Sequence, residues 1–422
     1  MRSMESTPRI RLLGGVALAL LVGAGSAQAG SFYLQEQSIT GMGSAFAGQN
    51  ATGFDASTVF TNPAGMTNLD RSQLSAGANL LLFNQKLSNR GTPTGPGLND
   101  GGNPYDPALL PNFYGVWAVT PEFRLGFGVT SPFGLSGEYD TGWFGRYDSL
   151  KSHLQTINLG LSAAYKISDQ WSVGGGLDLQ RASADLTNAV PGGVIPSPAT
   201  DLIGQVKGDD WSLGFNAGVT FKPVEPVTIG LTYRSAVSHT LEGHADLKTQ
   251  AGATLVREDA SAKLKTPDIV GLGVAWAVTP EVKLMGQVNW FNWSNFKRLS
   301  VDAGPVLTTS TNENYDDSLS FALGGEYKFN PDWTLRAGVQ YDMTPTNNTD
   351  RSTRVPDGDR LNFGLGASWN MTQNWSMDAA YLLVLVNEEN VNRSVLGGAA
   401  SVNARTKDPM IHVLGLQARY KF

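Results

Sequence analysis

Trp211-Ser212-Leu213-Gly214-Phe215-Asn216-Ala217-Gly218-Val219-Thr220-Phe221 is the stretch whose reading decides the fold. Every second residue is apolar, and the residues between are Ser, Gly, Asn, Gly and Thr. Successive side chains of a strand point to opposite faces, so this segment presents one greasy face and one polar or small face. The pattern recurs outward in both directions. Ile157, Leu159, Leu161, Ala163 and Tyr165 alternate with Asn158, Gly160, Ser162 and Lys166. Leu319, Phe321, Leu323, Gly325 and Tyr327 alternate with Ser320, Gly324, Glu326 and Lys328, and Leu361 to Trp369 repeats it against Asn362 to Asn370. A soluble β-sandwich also alternates, but its strands average about half the roughly ten residues found here, the length a tilted strand needs to cross a bilayer. Aromatics gather at the ends of the greasy faces, which predicts two interfacial girdles: Trp171, Trp211 and Trp333 at one, Tyr165, Tyr327, Phe329 and Tyr341 at the other.

The joints between these segments alternate in length. Short ones are Thr120-Pro121-Glu122, Ser168-Asp169-Gln170, Lys222 to Pro226, Thr279-Pro280-Glu281, Asn330-Pro331-Asp332 and Thr372-Gln373-Asn374, built from residues that fix φ or bond nearby backbone. Long ones span roughly 84–110, 132–152, 185–206, 239–265, 297–315, 345–358 and 386–407, rich in Gly, Pro, Asn and Asp. Tight periplasmic turns, long outer loops and an even strand number are the asymmetry of bacterial outer-membrane barrels. The fold class predicted is therefore all-β: a transmembrane antiparallel β-barrel of about 14 strands.

The ends of the chain agree. Arg2, Arg9 and Arg11 precede an apolar run from Leu12 to Ala24 and the small-x-small triplet Ala27-Gln28-Ala29, the pattern of a cleaved export signal. Residues 1–29 are read as signal peptide, 30–70 as a plug segment and 71–422 as barrel. Taking Arg2, Arg9, Arg11 and Glu5 from the 31 cationic and 37 acidic residues leaves 28 and 36, a net charge of −8. That balance argues against a nucleic-acid partner. The chain has no Cys, so its stability rests on no disulfide. Mean hydropathy is −0.16, a value blind to strands with one greasy face. The terminal strand, Leu414, Leu416, Ala418, Tyr420 and Phe422 against Gly415, Gln417, Arg419 and Lys421, closes on an aromatic and resembles the signal read by the outer-membrane assembly machinery.

Residues 30–70 do not alternate. They contain Gln37-Ser38, Gly41-Met42-Gly43-Ser44-Ala45-Phe46-Ala47-Gly48, Asp55-Ala56-Ser57-Thr58-Val59-Phe60 and Asn62-Pro63-Ala64, the last an N-cap and N1 pair opening a short helix. Together these runs resemble the N-terminal hatch of FadL-type long-chain fatty-acid transporters, a family that includes aromatic-hydrocarbon channels. A second match is Ser131-Pro132-Phe133-Gly134-Leu135 through Gly145-Arg146-Tyr147, then Thr156-Ile157-Asn158. The resemblance implies a plugged, monomeric barrel that takes fatty acids or hydrocarbons inward by binding, hatch rearrangement and lateral release. The hatch marker is Asn62, Pro63 and Ala64. The release opening falls at Pro132, Phe133 and Gly134, after a third strand running from Phe123 to Thr130.

One feature departs from the family. Fatty-acid members carry a cation near the outer end of the fifth strand, where this chain has Thr187-Asn188, and the nearest cation is Arg181. Lys283, Arg336 and Arg234 are read as ordinary lumen charge paired with Glu326, Asp178 or Asp342. Neutral hydrocarbons therefore stay open as substrates beside carboxylates. His153, His239, His244 and His412 lack metal-site spacing, so neither metal nor cofactor is expected. A general polar-solute porin and an outer-membrane lipid hydrolase are the alternative functions, though no nucleophile pattern favours the latter.

Overall fold

The computed structural model describes residues 31–93, 98–193 and 197–422. The export signal at 1–29 and the mature start at Gly30 lie outside the described residues. Fourteen antiparallel wall strands form a closed barrel. They are β1 (Gln73–Asn89), β2 (Ala108–Ala118), β3 (Phe123–Thr130) with its continuation β4 (Gly134–Glu138), β5 (Lys151–Lys166), β6 (Trp171–Val190) and β7 (Leu202–Val224). Next come β8 (Val227–Arg234), extended outward by β9 (Ser238–Lys248), and β11 (Ile269–Ala277), preceded by β10 (Thr254–Lys265). The wall finishes with β12 (Val282–Phe291), β15 (Ser318–Lys328), β16 (Trp333–Asp342), β17 (Arg360–Asn370), β18 (Trp375–Val386) and β20 (Ala400–Lys421). Outer hairpin strands β13 (Arg298–Asp302), β14 (Thr309–Asn312) and β19 (Asn390–Val395) complete the set. The last strand pairs back onto the first, Gln73 against Lys421 through Asn89 against Ala404, which leaves the ring no free edge.

The alternation becomes inside and outside. On β7 Trp211, Leu213 and Phe215 are exposed while Asn216 and Thr220 are buried; on β5 Leu159 and Leu161 face out and Asn158 and Ser162 in. The six tight turns fall where expected, and five share one device. Thr120, Ser168, Thr279, Asn330 and Thr372 each accept, on a side-chain oxygen, the backbone N–H two and three residues ahead. That local bond holds the turn without help from packing.

Two expectations need correction. The aromatic girdles are sorted differently: Tyr165, Trp171, Tyr327, Phe329 and Trp333 all lie at the tight-turn end, whereas Trp211 and Tyr341 lie at the opposite end. Strand direction reverses at each turn, so the end of one strand and the start of the next belong to the same interface. The long connections are also less loop-like than predicted. Segments 185–206 and 239–265 are largely strand, since β6 and β7 pair as far as Val190 against Leu202 and β9 pairs with β10 along its length. Within these ladders Asp246 is buried and paired with Lys248 and Arg257.

Residues 31–72 fill the lumen. Short helices α1 (Ile39–Gly43), α2 (Gln49–Thr52) and α3 (Thr58–Thr61) and a 3-10 turn, Pro63–Asn68, run through them. Ile39, Met42 and Phe46 pack on Leu81, Leu382 and Val413, while Val59, Phe60 and Met66 pack on Tyr114 and Val116. The wall meets this segment with glycines. A Cβ on Gly230 would stand 1.8 Å from the Asn50 carbonyl, and one on Gly218 would stand 2.0 Å from Asn62 Oδ1.

Candidate functional site: a break in the wall and a cavity above it

Between Thr130 and Gly134 the wall loses its regular ladder. β2 pairs with β3 only as far as Phe113 against Val129, although β2 continues back to Ala108 beside β1. On the other side the register steps from Thr130–Asn158 to Gly134–Gln155, four residues against three. The extra residue is a bulge, and Pro132 within it has no N–H to give. Gly134 keeps a φ outside the left-handed region, and its N–H is paired with the lumen segment.

The lumen segment takes over where β2 stops. Leu34 N–H donates to the Pro132 carbonyl at 2.8 Å and Gly134 N–H to the Phe32 carbonyl at 2.9 Å, with Tyr33 and Phe133 forming an antiparallel bridge. Gln37 brackets Ser131, donating from Nε2 to its carbonyl at 2.9 Å and accepting its N–H on Oε1 at 3.2 Å. From the far side Phe133 N–H donates to Thr156 Oγ1 at 2.9 Å. Pro132, Phe133 and Gly134 are thus held by Phe32, Leu34 and Thr156. Asn62, Pro63 and Ala64 lie elsewhere: Asn62 Oδ1 accepts the Ala64 N–H at 3.0 Å, and Nδ2 donates to the Asn50 and Val219 carbonyls. The triplet pins the lumen segment to β7 and does not touch the break.

Above the break lies an apolar cavity among β4, the outer ends of β5 to β7, and β9, β10 and β13, with about 820 Å³ of empty space including its open side. Phe32, Leu135, Leu154, Leu241, Leu264 and Phe296 contribute to its wall. Phe32 also packs edge-on against Trp293, at 4.8 Å between centroids, and lies 6.0 Å from Phe133. One ring therefore borders both the cavity and the break.

The cavity has a charged side that the sequence did not disclose. Arg354, from the loop after β16, donates from Nη1 to the Lys151 carbonyl at 2.8 Å and Ser152 Oγ at 3.1 Å, and from Nη2 to the Thr187 carbonyl at 3.1 Å. Tertiary structure thus brings a guanidinium to the fifth wall strand at the position where the chain itself has only Thr187-Asn188. Arg393 binds Asp148 at 3.2 Å and Glu313 at 2.7 Å, tying three outer loops together. Burial pushes the Glu313 carboxyl up to about 7 despite Arg393. Asp148 is buried as well, yet Arg393 and Arg354 hold its carboxyl below the usual range. Lys283 and Arg336 pair with Glu326, and Arg234 with Asp178, as ordinary lumen charge; Asp342 instead accepts from Gln35 Nε2 at 3.1 Å. His239 lies between Asp210 at 3.0 Å and Gln180 at 3.1 Å, but Ser212 Oγ donates to Asp210 rather than to the imidazole. A nucleophile–base hydrogen bond is therefore not formed in that group.

Over residues 20–422 the chain matches the family described as Outer membrane protein transport protein (OMPP1/FadL/TodX). The chain belongs to this outer-membrane family. The long-chain fatty acid transport protein of Escherichia coli strain CFT073 is 31% identical over 381 residues, 81% of this chain and 84% of that one. Outer membrane protein P1 of Haemophilus influenzae strain KW20 is 29% identical, covering 82% of this chain and 83% of its own length. A solved Pseudomonas aeruginosa FadL homologue superposes with a TM-score of 0.85 at 29% identity, over 93% of this chain and all of that one. The toluene transporter TodX of Pseudomonas putida shares the fold, with a TM-score of 0.73 at 17% identity, over 93% of this chain and 100% of that one. The FadL-type resemblance and the 14-strand barrel expected from sequence both hold, and the chain is a protein of the outer membrane.

Proposed function

We propose that the chain carries hydrophobic small molecules, long-chain fatty acids or related hydrocarbons, passively inward across the outer membrane, with no covalent step. Substrate enters the apolar cavity from outside, displaces Phe32, and leaves sideways between β2 and β3. The observation that carries this reading is the backbone pairing of Phe32 and Leu34 with Pro132 and Gly134, at the start of the stretch that β2 leaves uncovered. Displacing Phe32 strips that pairing and opens a path from lumen to lipid, so occupancy and exit are one event. Residues 31–72 act as the hatch, and residues from Gln73 onward as the barrel. The fatty-acid name carried by the closer relatives and the presence of Arg354 beside Thr187 both favour a carboxylate-bearing substrate.

Because the chain has no native Cys, the coupling can be tested with a single pair. Tyr33→Cys with Phe133→Cys places thiols on facing residues of an antiparallel bridge, a separation a disulfide can span. Oxidation is expected to stop oleate uptake by cells and reductant to restore it. Uptake that ignores the disulfide would refute lateral release at this site.

A further inference from the structure

The outer rim of the barrel seam carries charge that the transport reading leaves unused. Lys86 on β1 and Lys407 on β20 are direct cross-strand partners, and both are exposed. They face outward, because their neighbours Leu87 and Thr406 are buried on the inner side. Like charges directly opposite each other repel. Among the described residues neither lysine has an ion-pair partner, and Arg90, exposed at the end of the same strand, has none either. Arg405 shares the face and is paired with Glu388 at 3.2 Å, and Asp408 is exposed beside Lys407. Between and beside these cations stand exposed Asn390, Asn392 and Ser401, and Asn403, whose amide donates to Ser401 at 3.2 Å.

Below the patch, on the same side of the barrel, the lipid-facing wall is hollow. Small outward residues Gly325, Ala337, Ala367 and Ala379 leave a depression with about 1640 Å³ of empty space including its open side, bordered by Leu365 and Leu414 among others. Tyr381 stands at its upper edge, with its hydroxyl 2.7 Å from His412 Nδ1, a polar pair on the membrane face. Leu414 and Lys407 belong to the same strand, on the order of 20 Å apart at the usual rise per residue. Outward Met410 and His412 lie along the way.

We propose that this seam is a binding site for a phosphorylated glycolipid of the outer leaflet. Its phosphates seat between Lys86, Lys407 and Arg90, its sugar hydroxyls meet the Asn and Ser side chains, and one acyl chain lies in the hollow below Tyr381. The bound phosphate supplies the counter-charge that the lysine pair lacks. Cations at headgroup depth attract anionic lipid, and an apolar slot on the same strands selects a ligand that is anionic and acylated at once.

The test uses the full barrel reconstituted in nanodiscs with a bis-phosphorylated diglucosamine lipid as probe, and retained lipid counted by native mass spectrometry. The double variant Lys86→Glu with Lys407→Glu is expected to lose retention roughly tenfold or more, from the attraction each surface cation contributes. Should that variant not assemble, Lys86→Gln with Lys407→Gln removes the repulsion and is expected to lose retention in the same direction. Filling the hollow by Ala367→Phe is expected to lower retention severalfold. Unchanged retention in the charge variants overturns the site. Equal retention of phosphatidylglycerol, or of the probe stripped of its phosphates, overturns its assignment to a phosphorylated glycolipid.

Discussion

Arg354 shows how a single residue can change the reading of a substrate. A guanidinium lining an apolar cavity can donate charge-assisted hydrogen bonds to one carboxylate, each about 1.5–3 kcal/mol in such settings. Arg354→Gln is therefore expected to cut uptake of oleate by roughly tenfold or more while sparing a neutral alkane, measured with radiolabelled substrates in whole cells. Equal losses for both would assign Arg354 to loop structure alone. Glu313 belongs at the same scale. Its folded value of about 7 lies above the 4.5 of a free glutamate, so the folded chain binds the extra proton. Its stabilising share is complete below about 4.5 and is lost as pH rises through about 7. Hydrogen-exchange protection around Glu313, corrected for the intrinsic pH dependence of amide exchange, is expected to fall over that window, and Glu313→Gln to abolish that fall. Neither residue was legible in the sequence. Arg354 lies 167 positions from Thr187, and nothing local marks a loop arginine as the partner of a distant strand.

At the scale of elements, the interrupted third strand is partly legible. Pro132 signals a broken ladder, and the strand limits Phe123 and Thr130 coincide with the observed β3. The one-residue bulge was not legible, because the extra residue shows only once β3 and β4 are paired with β5. The bulge makes a direct prediction: deleting Pro132 removes the extra residue and restores one-to-one register between β3 and β5. Assembly, followed by heat-modifiable migration on gels, is expected to stay as in the parent, while uptake falls several-fold. Retained uptake would show that substrate leaves by another route. Turn positions were all legible, since five of the six are fixed by their own Thr, Ser or Asn and the sixth, Lys222 to Pro226, carries two prolines. Girdle membership was not, because it depends on strand direction as well as residue type.

For the whole molecule, the lumen segment separates a plugged transporter from a general porin. Its helices are four or five residues long, too short to hold themselves together, and persist because the wall surrounds them. Removing residues 31–65 is expected to leave the barrel folded and to raise single-channel conductance in planar bilayers from near zero to that of an open pore. Equal conductance before and after would overturn the hatch assignment.

By itself, the sequence determined that this chain is an exported barrel: period-two alternation, capped turns and the closing aromatic strand are local patterns, and a strand's two faces follow from covalent geometry alone. The runs near Gly41 and Asn62 also gave the family. Only the tertiary structure decided where the lumen segment meets the wall, which cation reaches Thr187, and where charge stays unpaired at the seam. Those facts depend on contacts between residues tens to hundreds of positions apart, and they arise only when the ring closes and strands distant in the chain become neighbours.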